Sequence, residues 1–165
     1  MSGALSGRVA LVTGGGAGIG AGIARRFADE DARVVVAEFD ADAGAAVADE
    51  IDGLFVQTDV ARREQVENAV AAALSEYGAL DILVNNAWGG GAIGRVENKT
   101  DDQLAHGFAV GYYGPFWAMR AALPSMKERG WGRVINMCSL NGVNAHMGSL
   151  EYNAAKEALR ALTRT

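Results

Sequence analysis

The chain has 165 residues, half of them apolar and 21% charged, a balance that fits one globular domain with a real core. A net charge of −5 without any basic cluster argues against a nucleic-acid face, and 22 glycines beside only 2 prolines do not describe a disordered chain. The single cysteine, Cys138, excludes an internal disulfide framework, and without a signal-peptide pattern or a long apolar run the expectation is a cytoplasmic protein with no membrane span.

Arg8 to Thr13 (RVALVT) is a short, valine-rich apolar run that reads as a buried strand. It breaks into Gly14-Gly15-Gly16-Ala17-Gly18-Ile19-Gly20, after which helical spacing puts Ile23 and Phe27 on one face. Val34 to Ala37 is a second strand ending at Glu38, Asp42 to Ile51 an alanine-rich helix, and Leu54 to Thr58 a third strand closing on Asp59. Arg62 to Tyr77 is helical, with Val66, Val70, Ala73 and Leu74 as its inner stripe, and Leu80 to Asn85 is a fourth strand. Strands and helices alternating at this spacing predict an α/β fold with a doubly wound parallel sheet.

A glycine-rich loop follows from Trp88 to Gly94. Thr100-Asp101-Asp102-Gln103 is a capping box that starts a helix running to about Glu128, interrupted at Gly111, Gly114 and Pro115. Arg133 to Met137 is a fifth strand, and the chain is helical again from Glu151. The sequence shows no repeat, linker or second domain.

Gly14, Gly18 and Gly20 fall between a strand and a helix, where absent side chains let the backbone turn tightly and approach a pyrophosphate. The N–H groups that open the helix would face that anion. The alternative is a plain tight turn; an acid at the end of the second strand, Glu38, favours nucleotide binding. Its carboxylate suits the adenosine ribose diol and would repel a 2′-phosphate, which favours NAD over NADP. Asp59 would lie near the adenine edge or else cap a helix, and these readings weigh equally.

Ser139 is followed by Tyr152 and Lys156, and the last two share one face if they share a helix. A phenol is a weak acid with a pKa of about 10, and a neighbouring ammonium favours its ionised form, so such a pair suits proton transfer to or from a substrate oxygen. The same spacing also arises by chance on solvated helices, so the pair alone does not decide the matter.

Taken in order, Thr13-Gly14-x3-Gly18-Ile19-Gly20, Asp59, Asn85-Asn86-Ala87, Ser139 and Tyr152-x3-Lys156 resemble the motif set of the short-chain dehydrogenase/reductase family, of the type with a Tyr/Lys pair, across essentially the whole chain. The resemblance implies a Rossmann fold with strands in the order 3-2-1-4-5. It also implies hydride transfer between NAD(H) and an alcohol or ketone. Tyr152 would be the general acid/base, Lys156 would ease its ionisation and bind the nicotinamide ribose, and Ser139 would hold the substrate oxygen. Gly14, Gly18, Ile19, Gly20, Glu38, Asp59, Val60, Asn86 and Ala87 would bind the cofactor with Tyr152 and Lys156, and Asn85 and Gly89 would line it. No metal is expected, because neither His106 nor His146 has neighbours at ligand spacing. His106 reads as structural, and His146 as either a substrate contact or a solvated loop residue. Phe116, Trp117, Met119 and Leu123 read as core or as a subunit contact in a homodimer or homotetramer.

The sequence departs from the family at several points. Trp88 stands where a glycine is usual, and must turn away from the cofactor or stack over the pocket mouth. Gly111 stands where the family has an active-site asparagine, and Pro115, lacking an N–H, would leave the Gly111 carbonyl free to hold a water. Cys138 replaces a common serine and reads as a small buried residue. The chain ends at Thr165, inside the helix of Tyr152 and Lys156, where family members continue. The expectation is therefore one incomplete domain over 1–165, lacking the C-terminal strands. The fifth strand's far edge would be open and the pocket unlidded, making the chain less stable and less active than a longer parent. The competing function is a non-catalytic nucleotide-binding or interaction fragment, while a kinase-like phosphate loop fails because no Gly-Lys-[Ser/Thr] follows the glycines.

Overall fold

A computed structural model describes residues 3–165. Five strands, β1 (Val9–Thr13), β2 (Arg33–Glu38), β3 (Leu54–Gln57), β4 (Ile82–Asn85) and β5 (Arg133–Asn136), form one parallel sheet in the order β3-β2-β1-β4-β5. The order reverses between β1 and β4, so the crevice beyond their carboxyl ends is where an open α/β sheet binds its ligands.

Alternation along the strands divides the core in two. Leu11, Val35, Ala37 and Leu83 face α3 (Arg63–Tyr77) and α5 (Gly114–Glu128), packing on Val66, Val70, Ala73, Ala118 and Ala122. Ala10, Val12, Val34, Val36 and Val84 face α1 (Gly18–Asp29) and α2 (Ala41–Glu50), packing on Ala21, Ala24, Val47 and Ala48. These strands are buried on both faces, which is why they read as unbroken apolar runs. β5 sits at the sheet edge with alternating exposure, and Ile135 is 41% exposed.

The expected elements are present with ends shifted by one or two residues. The capping box is also there: Thr100 Oγ1 accepts from the Gln103 N–H, the Gln103 side chain accepts from the Thr100 N–H, and α4 (Asp101–Phe108) follows. The expected interruption of the long helix is instead a single π turn, Ala109–Tyr113, which joins α4 to α5 without a break. Its closing bond runs from the Gly114 N–H to the Ala109 carbonyl, five residues back. A short α6 (Leu140–Asn144) precedes α7 (Leu150–Leu162), the helix of Tyr152 and Lys156. Among the described residues no helix is long and apolar enough to cross a membrane.

Candidate active site

A cavity of about 760 Å³ opens at the carboxyl ends of β1, β2 and β4, within the range of about 300–1,000 Å³ usual for small-molecule sites. Its walls include Gly14, Gly18, Ile19, Glu38, Asp59, Val60, Asn86, Ala87 and Trp88, so most of the expected cofactor-binding residues share one surface.

Two glycines of the loop are forced by geometry. Gly14 has φ +64, and a Cβ there would lie 2.9 Å from the Ala87 Cα. A Cβ on Gly20 would lie 1.9 Å from the Gly14 carbonyl oxygen, so only glycine lets α1 start this close to the turn. The N-cap of α1 is Ala17, which offers no side-chain acceptor. α2 and α4, by contrast, are capped by Asp40 and Thr100. The first-turn N–H groups of α1 are therefore left for an anion in the adjoining cavity. Glu38 is fixed beside them: its carboxylate accepts from the N–H groups of Gly16 at 3.0 Å, Phe39 at 2.8 Å and Asp40 at 3.2 Å. Bare donors thus lie next to a fixed carboxylate, an anion-accepting group beside one that can accept from a hydroxyl.

Thr13 ties β1 to the end of β4. Its hydroxyl donates to the Val84 carbonyl and accepts from the N–H groups of Asn86 and Ala87 at 3.0 and 3.1 Å. The Asn86 amide donates to the Thr13 and Gly14 carbonyls at 2.9 and 3.2 Å, so this side chain braces the glycine loop. Asn85 is buried and donates to the Asn136 side chain at 2.8 Å, linking β4 to β5. Asp59 does not cap a helix: the N-cap of α3 is Arg62, and Asp59 Oδ1 accepts from the Ala61 N–H in a tight turn before it. That leaves the cavity wall as the place of Asp59, with Val60 buried behind it.

On the other side, Tyr152 and Lys156 share one face of α7, the helix that packs on α4 and the π turn through Glu151 and Ala155. Lys156 is 4% exposed, and its ammonium donates to the Met137 carbonyl at 2.6 Å. Burial pushes this ammonium below the usual lysine range. Ser139 caps α6 by accepting from the Asn141 N–H, which leaves its own hydroxyl proton free to donate. Trp88 lines the cavity, and its ring meets Tyr152 edge-on at 4.7 Å between centroids, with Lys156 Nζ 5.7 Å from it. Cys138 is exposed rather than buried, because the chain leaves the sheet there on the edge-strand side.

Contacts that the sequence reading did not anticipate hold this side together. Lys99 lies 2.9 and 2.8 Å from the two carboxylate oxygens of Glu151, both side chains being at most 3% exposed, and Lys99 also donates to the Ala92 carbonyl. Burial works against ionising Glu151, but the hydrogen bond and charge of Lys99 outweigh it and hold the carboxyl below its usual range. The Gly94 N–H donates to the Gly148 carbonyl at 3.0 Å, joining the two loops that flank Tyr152. His106 Nε2 lies 3.2 Å from the Gly89 carbonyl and tethers that loop, in keeping with its structural reading. His146 is an exposed loop residue whose carbonyl accepts from Asn153 Nδ2 at the start of α7. A glutamate directly before Tyr152 in a helix that packs inward was the available signal for the ion pair.

The family model for short chain dehydrogenases matches residues 8–165. The chain is 36% identical over 171 residues to 2,5-dichloro-2,5-cyclohexadiene-1,4-diol dehydrogenase LinX of Sphingobium indicum, covering 99% of this chain and 67% of that protein. It is 36% identical over 165 residues to D-beta-hydroxybutyrate dehydrogenase of Cupriavidus necator, covering 97% and 64%. It is 38% identical over 167 residues to 3-alpha-(or 20-beta)-hydroxysteroid dehydrogenase of Mycobacterium bovis, covering 100% and 64%. The chain thus spans about two thirds of the length of the curated relatives it matches.

Proposed function

This chain belongs to the short-chain dehydrogenase family, and we propose that it serves an oxidoreductase that moves a hydride between a nicotinamide dinucleotide and an alcohol or its carbonyl product. The observation that carries this reading is a cavity wall that runs from the uncapped start of α1 and the fixed Glu38 carboxylate to Trp88, whose ring in turn meets Tyr152 and lies near the Lys156 ammonium. The cofactor, when bound, accepts or supplies the hydride. The first turn of α1 would hold the pyrophosphate and Glu38 the adenosine ribose, which favours NAD because the carboxylate repels a 2′-phosphate. Ser139, its hydroxyl proton free, would donate to the substrate oxygen, and Tyr152 would pass the proton to or from it. Lys156, a buried cation on the same helix face, would favour the ionised phenol.

The names of the relatives point to small secondary alcohols and hydroxysteroids as first substrates to assay. Tyr152→Phe is expected to lower turnover by about 10²–10⁴-fold, the usual contribution of a positioned acid/base, with cofactor affinity little changed. Glu38→Ala is expected to narrow the preference for NAD over NADP measured by calorimetry. Cofactor binding without turnover of any alcohol or carbonyl would instead identify a nucleotide-binding module.

A further inference from the structure

We propose that the Trp88 indole is a wedge that positions Tyr152 and Lys156, and that Gly111 lacks a side chain in order to admit it. The positioning role rests on the oxidoreductase reading above. Three elements meet at the indole: the turn after β4 that carries it, the π turn and α7. On one side its six-membered ring lies against Gly111, where an added Cβ would come within 2.8 Å of Trp88 Cζ3 and within 2.8 Å of the Ala155 Cβ. Any side chain at 111 must therefore displace the indole or push α7 away. On the other side the indole meets Tyr152 edge-on, ring planes 79° apart, with the Lys156 ammonium 5.7 Å from its centre. Tyr152, Ala155 and Lys156 are the i, i+3 and i+4 positions of one helix face, so the wedge and the glycine beside it engage that whole face.

Few hydrogen bonds fix these two side chains. Among the described residues the Tyr152 hydroxyl makes no hydrogen bond, and the Met137 carbonyl is the one acceptor that Lys156 reaches. An edge-on aromatic pair adds attraction beyond area burial, which favours one tilt of a ring whose hydroxyl must stay free for substrate. An ammonium near the indole gains further attraction from the ring in a dry site. Trp88 also belongs to the wall of the 760 Å³ cavity. The wedge thus touches both the cavity and the proton-transferring pair, so its position bears on how the pair is set relative to the cavity.

The test is a double-substitution cycle in the intact protein: Trp88→Ala, Gly111→Ala and the two combined, with Trp88→Phe as the conservative control. ADP, which needs only the glycine-loop half, should bind equally well to parent and Trp88→Ala. Turnover should fall by roughly 100-fold in Trp88→Ala, the scale of a catalytic group displaced by about 1 Å, and Trp88→Phe should recover most of it. Gly111→Ala should be impaired in the parent and cost clearly less once the indole is gone, both in turnover and in thermal melting, the remaining cost being the contact with the Ala155 Cβ. Full turnover in Trp88→Ala, or melting losses that simply add, would overturn the proposal. If the parent oxidises no alcohol and reduces no carbonyl, the oxidoreductase reading fails separately. The melting cycle then still decides the wedge, because coupled losses require the contact and additive losses refute it.

Discussion

At the glycine-loop end of the cavity, side chains brace the main chain: Glu38 accepts from three N–H groups, and Thr13 and Asn86 hold the turn through main-chain partners. At the Tyr152 end the contacts run between side chains, or from a side chain to a distant carbonyl: Lys99 to Glu151, Trp88 to Tyr152, and Lys156 to Met137. A turn braced this closely does not tolerate added volume at its glycines. A side-chain pair tolerates neither loss nor charge change where the partner left behind is buried, as at Lys99 and Glu151. The first end is fixed by contacts to main-chain atoms, while the second depends on which side chains stand opposite one another.

The largest effect that tests this contrast should come from Glu151→Gln. It strands the Lys99 ammonium in a site where both side chains are nearly inaccessible, and breaking a buried pair in this way costs about 3–5 kcal/mol. The loops around Ala92 and Gly148 should loosen with it, seen as faster amide exchange there and at the start of α7. The pH dependence follows from the sign of the shift. The Glu151 carboxyl is held below its usual value, so its stabilisation is complete above about pH 4.3 and is lost as pH falls through the lower folded value. The gap in melting temperature between parent and Glu151→Gln should therefore be constant near neutrality and close in acid. A gap that stays unchanged down to pH 2 would place the cost elsewhere than in the ion pair.

The same contrast explains what could be read from the sequence. The strands, the glycine loop and the position of Glu38 were legible because each depends on short-range spacing: apolar runs of strand length, glycines at a strand-to-helix turn, an acid at the next strand's end; the strand order came from the family resemblance. The capping box at Thr100 was legible for the same reason. The orientation of Trp88, the Lys99–Glu151 pair and the exposure of Cys138 were not, because each is decided by residues dozens of positions away. The π turn also escaped, since Gly111, Gly114 and Pro115 signal a disturbed helix without saying that its bonds lengthen by one residue instead of breaking.

A middle-sized effect belongs to the glycine-loop end. Gly20→Ala puts a methyl 1.9 Å from the Gly14 oxygen and 2.6 Å from Asn86 Nδ2, so α1 or the turn must move. Overpacking of this kind costs about 1–3 kcal/mol, and the affected N–H groups are those offered to the anion. ADP affinity should fall by about tenfold or more, measured by calorimetry, while the Lys99–Glu151 loops keep their amide protection. Loss of protection at both ends would mean that the two halves are not independently held.

The smallest effect separates volume from glycine content on the same helix. Gly22 lies two residues beyond Gly20 in α1, has an ordinary negative φ, and has open space where a Cβ would be. Nothing there requires glycine, whose backbone freedom in the unfolded chain works against the helix. Gly22→Ala should therefore raise stability by about 0.4–1 kcal/mol with ADP binding unchanged. Gly20→Ala, made on the same helix for the same gain in propensity, should move in the opposite direction. If the two substitutions behaved alike, the close approach of α1 to the Gly14 carbonyl would not be what holds the cofactor end. Opposite signs would show that the backbone cradle depends on one missing methyl group rather than on a flexible loop.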